Sequence, residues 1–145
     1  MNIKKAIAKV ERLLPGKLTS EGDCDPRWQG IITIAEFIHT HPVEVWRFIR
    51  RWGSSPNKDV RSAVATCLLE HLFEHHFDMV FPLVRKACTQ SKRFVDTFLM
   101  CWEFGQTKLP KNRRRFRTLK KQLRECGNKA KIVITKDKQI IAKQL

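Results

Sequence analysis

Little of the equipment of catalysis is present in this chain. No Gly-rich phosphate loop, no ordered Ser/His/Asp set and no pair of catalytic carboxylates can be picked out of its 145 residues. No cofactor is therefore expected, and no enzymatic turnover. The five cysteines (Cys24, Cys67, Cys88, Cys101, Cys126) are an odd number without one C-x-x-C pair. That spacing argues against a disulfide scaffold and for a reducing, cytoplasmic setting. Three of them fall in apolar helical stretches, where a thiol behaves as a small hydrophobe. No apolar run has the length of a membrane span, and Met1-Asn2-Ile3-Lys4-Lys5-Ala6 lacks the apolar core of a signal peptide. No membrane partner is expected.

Acidic residues run short only toward the end. Residues 1–104 hold 15 Lys+Arg and 12 Asp+Glu, a balance of +3, whereas residues 105–145 hold 14 and 2, a balance of +12. The basic character belongs to the tail, and a block of one sign favours a polyanion partner for that segment. A nucleic acid is the leading expectation and an acidic protein the alternative.

What is there in abundance is helical periodicity. Ile3, Ile7, Val10 and Leu14 share one face before Pro15-Gly16 punctuates the chain, and Thr19 to Asp25 reads as a polar loop. Asp25-Pro26 is a cap-then-proline start, after which Trp28, Ile31, Ile32, Ala35 and Ile38 form the expected buried stripe. Pro42 opens the next helix, with Val45, Trp46, Ile49 and Trp52 inward. Gly53-Ser54-Ser55-Pro56 turns the chain into a helix from Lys58 to Phe73. A break near His75-His76-Phe77 and a turn at Thr89-Gln90-Ser91 lead to a last apolar helix with Phe94, Val95, Phe98, Leu99 and Trp102. The four tryptophans, Trp28, Trp46, Trp52 and Trp102, sit at seam spacing and are expected in the core. After Gly105 a helix over about 111–126 carries a narrow stripe of Phe116, Leu119 and Leu123 and is expected to stop at Gly127. A short hairpin or a disordered tail is expected beyond it.

Trp28, Val60 and Phe94 fall in register at spacings of 32 and 34 residues, two helices per unit, which is the mark of an α-solenoid. The middle unit is the sharpest. Asn57-Lys58-Asp59-Val60-Arg61-Ser62-Ala63-Val64-Ala65-Thr66-Cys67-Leu68-Leu69 resembles the second helix of a HEAT repeat, with Val-Arg opening the helix and Ala63, Cys67 and Leu68 in the family's small, small and Leu positions. The stretches 65–77 and 97–106 also resemble small bacterial HEAT-repeat proteins without an assigned role. The resemblance implies all-α architecture: a short α-solenoid of HEAT-like helix pairs over residues 1–105, followed by a basic C-terminal extension over 106–145. Many HEAT repeats pair a corner Asp with a neighbour's Arg; this corner carries Asn57, which puts that ladder in question. HEAT-like alkylpurine DNA glycosylases bind DNA on a basic concave wall, here Arg47, Arg50, Arg51, Arg61, Arg85, Lys86, Lys92 and Arg93. No Asp matches a catalytic position, and fold analogy is not a site.

Two clusters compete for the functional role. His71-Leu72-Phe73-Glu74-His75 matches the H-x-x-E-H string of inverted metalloproteases. It also fits a helix C-terminus favouring histidine, and a catalytic zinc needs a third ligand; the match is read as coincidental, with no metal expected. His39 and His41 are read in the same way. The basic tail is the preferred site. Arg113, Arg114, Arg115, Arg117, Lys120, Lys121 and Arg124 are expected to meet phosphates, joined by Arg47, Arg50 and Arg51 on the solenoid wall.

Overall fold

The computed structural model describes residues 2–15 and 25–144, with side chains through 127. Helices dominate, and no strand occurs among the described residues. The polar loop expected from Thr19 lies outside them as far as Cys24.

Helix α1 (Ile3–Leu13) begins where the Asn2 side chain accepts the Lys5 N–H at 2.9 Å. Helix α2 (Pro26–Ala35) starts on Asp25, whose carboxylate accepts the Arg27 N–H at 2.9 Å while Pro26 supplies a pre-set φ. Helix α3 (Pro42–Trp52) likewise opens on a proline. Helix α4 (Lys58–Val64) is capped by Asn57, which accepts from the N–H groups of Asp59 and Val60. A π turn over Ala65–Leu69 carries α4 into α5 (Glu70–Gln90). Helix α6 (Lys92–Leu99) is capped by Ser91, and a 3₁₀ turn over Gly105–Lys108 precedes α7 (Pro110–Gln144).

The starts expected from caps and prolines are where the chain folds, and α5 breaks where expected: His76 has non-helical φ −140° and ψ 47°. Neighbours in space include both consecutive and alternate helices. α2 meets α1 and α4, α4 meets α3 and α6, and α5 meets α3 and α6. The shared core holds Ile31, Ile34, Val45, Ile49, Val60, Ala63, Val64, Leu68, Phe73, Val84, Phe94 and Phe98.

Several expectations are corrected. Helix α7 does not end at Gly127; it continues to Gln144 in place of the hairpin. One glycine costs an exposed helix only about 1 kcal/mol, and Gly127 has no following strand pair to release the chain into. Trp102 is not buried: α6 stops at Leu99, the chain turns extended, and Trp102 is 73% exposed. Trp46 is in the core, whereas Trp28 and Trp52 are half-buried at its edge. Ile32 faces outward, and Ile34 takes the inner position. An Asp–Arg pair joins α2 to α4, but it does not use the corner residue. Asp59 of the middle unit accepts from the buried Arg27 at 3.0 Å and from the Trp28 indole N–H at 3.3 Å, while Asn57 is used as a cap.

Candidate functional site

The stretch from Cys101 to Phe104 is the least regular part of the body, and it is held from several sides. The π turn leaves the Ala65 carbonyl accepting the Glu70 N–H, and the Cys101 thiol donates to the same carbonyl at 3.7 Å. Glu70 is thereby turned inward, and its buried carboxylate accepts the Trp102 N–H at 2.9 Å. Burial pushes the Glu70 carboxyl above its ordinary range, partly offset by that hydrogen bond. From the other side Lys120 donates to the Leu99 carbonyl at 3.4 Å and to the Cys101 carbonyl. Its ammonium stands 4.7 Å from the centre of the Phe116 ring, and burial lowers its pKa. Glu103 is gripped by two arginines, Arg117 and Arg113, each at 2.8 Å, and these hold its carboxyl below the usual range.

Beyond this strap of residues 101–104, Gly105 and Gln106 seal the break in α5. The Gln106 amide donates to the His75 carbonyl at 2.8 Å and accepts the Phe77 N–H at 2.9 Å, so both backbone groups orphaned at His76 are satisfied. Gly105 sits at φ +49°, and a Cβ there would stand 2.5 Å from Glu74 Cγ. Only glycine fits without displacement.

The H-x-x-E-H residues bond to one another. His71 Nδ1 lies 2.9 Å and His75 Nε2 3.3 Å from the same Glu74 oxygen, and His76 Nε2 lies 2.9 Å from the Ile38 carbonyl. His39 lies beside His75 with ring centres 4.2 Å apart and the rings tilted by 53°. No group of three His, Cys, Asp or Glu side chains among the described residues is arranged to hold a metal ion.

The basic residues singled out from the sequence divide into two kinds. Arg113 and Arg117 hold Glu103. Arg115 bonds Asp78 at 2.9 Å and lies over the rings of Phe77 and Phe81, and Lys120 caps the strap. These four fasten α7 to the body. Arg114, Lys121 and Arg124 are exposed and make no ion pair among the described residues. Arg50 bonds Ser54 and Gln90, and Arg51 bonds Glu11 on α1, so these two are tied to other elements than α7; Arg47 is exposed.

Two cavities flank α7. One, of about 470 Å³, is lined by Phe81, Arg85, Lys111, Arg114, Arg115 and Gln122 among others, with no carboxylate in its wall. The other, of about 490 Å³, includes Trp102, Glu103, Lys108, Arg113, Arg117 and Arg124. Sequence reasoning missed Lys108, Lys111 and Trp102 as site residues. The lysines could have been found from their place beside the arginine block, but the exposure of Trp102 depends on tertiary contacts. Compared with protein-family models, with curated proteins and with solved structures, the chain matches none.

Proposed function

We propose that this chain is a non-catalytic binding module, a short HEAT-like α-solenoid whose basic C-terminal helix holds the phosphates of a nucleic acid. The contacts of α2 with α4, of α4 with α6 and of α3 with α5 support the helical-repeat part of the reading. The observation that carries the functional part is the groove between α5 and α7, where Arg85, Lys111, Arg114 and Arg115 share one wall without a carboxylate. Arg85, Lys111 and Arg114 are exposed and free of ion pairs among the described residues, so phosphates would meet cations that are not already neutralised. Arg115 is already held by Asp78 and sets the floor of the groove. Phosphate contacts position a chain without reading its sequence.

Binding of duplex DNA measured over a range of salt tests this. Affinity should fall steeply, with a log–log slope of about −0.9 per phosphate neutralised. The triple variant Arg85→Gln, Lys111→Gln, Arg114→Gln should shallow that slope by roughly one per residue, with an unchanged thermal midpoint. A flat salt response, or a triple variant that binds like the parent, rejects the reading. A flat response combined with loss on Arg47→Ala would assign the chain to a protein partner in the solenoid groove.

A further inference from the structure

An exposed tryptophan on a pinned backbone is an unusual surface feature, and Trp102 is one. Its side chain is 73% exposed, yet every residue around it is tied down: the Trp102 N–H to buried Glu70, the Cys101 carbonyl to Lys120, and the Glu103 carboxylate to Arg113 and Arg117. The backbone that carries the indole is therefore fixed, and only the two side-chain torsions of Trp102 are left to be ordered by a ligand. A rigid aromatic loses little conformational freedom when a ligand lies on it, which is the reason such side chains serve as binding anchors.

The surroundings specify the ligand. Trp102 shares its cavity of about 490 Å³ with Lys108, Arg113, Arg117, Lys120 and Arg124, against a single lining carboxylate, Glu103. Arg113 and Lys120 are spent on internal bonds, whereas Lys108 and Arg124 are exposed and free of ion pairs among the described residues. A π-face beside uncommitted cations matches a ligand with flat bases and anionic links. Bases in a duplex hide their faces in the stack, so only unpaired bases can use the indole.

We propose that Trp102 and the cations beside it form a site for single-stranded nucleic acid, one unpaired base stacking on the indole while Lys108 and Arg124 hold the flanking phosphates. This rests on the phosphate reading above and adds to it a preference for single strands. It also assigns a role to a residue that burial would have made structural.

The test compares Trp102→Ala and Trp102→Phe with the parent protein. The probes are a labelled oligothymidylate, a duplex of matched length, inorganic polyphosphate and polyglutamate. Trp102→Ala should lose roughly tenfold or more in affinity for the single strand while its affinity for polyphosphate and duplex stays within about two-fold, and Trp102→Phe should regain most of the loss. Quenching of tryptophan emission by oligothymidylate should be largely lost in both variants, since the remaining tryptophans lie outside this cavity. Because the indole is exposed, the thermal midpoints should match. Unchanged single-strand affinity in Trp102→Ala overturns the proposal, as does an equal loss on every probe. A loss seen with polyglutamate alone also overturns it and indicates an acidic protein. The phosphate reading falls separately, if the parent binds neither nucleic acid nor polyphosphate.

Discussion

Two glutamates beside Trp102, one accepting its N–H and the other following it in the chain, illustrate how opposite environments set opposite pH responses. Glu103 is held low by Arg117 and then Arg113, so the folded state prefers its carboxylate. Its contribution to stability is present above the unfolded value of about 4.3 and is lost as pH falls through the lower folded value. Asp25, held low by Arg27, has the same sign. Glu70 is raised by burial and has the reverse sign: it costs stability as pH rises past its unfolded value toward its folded one. Denaturant unfolding across pH 2–6 (~4.3 being the pivot) checks the balance. Glu103→Gln should flatten the acid-side loss and lower stability near neutrality, because the amide cannot hold two guanidinium groups equally. An unchanged acid limb in that variant would assign the loss to Asp25.

At the scale of elements, the breaks carry more information than the helices. Gly105 approaches Glu74 so closely, and at so strained a φ for any other residue, that Gly105→Ala should destabilise by about 1–2 kcal/mol from the left-handed conformation alone, with the clash added. Chemical denaturation measures it, and a variant as stable as the parent would mean that the strap relaxes away from Glu74. The sequence made the starts of helices readable because caps and prolines act locally: Asp25-Pro26, Pro42, Asn57 and Ser91 stand where they must. The stop of α6 was not readable. Phe94, Phe98 and Trp102 share a helical stripe, and what ends the helix at Leu99 is the grip of Lys120 and Glu70, which come from elsewhere in the chain. The π turn in Ala65-Thr66-Cys67-Leu68-Leu69 leaves no mark in residue type either, though such turns often sit near functional segments. The basic block was legible as charge. Which of its members are free was not, because Glu103 and Asp78 lie outside it.

For the whole molecule, the basic helix acts as closure as well as charge. Phe116 is fully buried, its ring 5.2 Å from that of Phe73 and 5.1 Å from that of Phe98, both edge-on, and Leu119 joins the same core. Edge-on aromatic contacts add to the burial of apolar area, so α7 closes this end of the body with its apolar stripe inward and its charged residues outward. Arg113, Arg115, Arg117 and Lys120 then fasten that lid by its rim. Removing residues 106–145 would therefore strip away the charge, open the Phe73–Phe98 surface and delete the Gln106 bridge across the α5 break. The truncated chain should aggregate, and its loss of affinity would say nothing of the tail's contacts. A chain ending at residue 127 keeps Gln106, Phe116, Leu119 and all four fasteners, and should unfold as one cooperative unit. Phe116→Ala in the full chain should cost about 3–5 kcal/mol, the range for a buried phenylalanine truncated to a cavity. Urea titration of the three variants decides the matter. If Phe116→Ala unfolds at the parental midpoint and the chain ending at 105 stays soluble and cooperative, α7 is an appendage and the core is complete without it. If both fail while the chain ending at 127 holds, the lid is structural and the free cations Arg114, Lys121 and Arg124 can be neutralised without touching the fold.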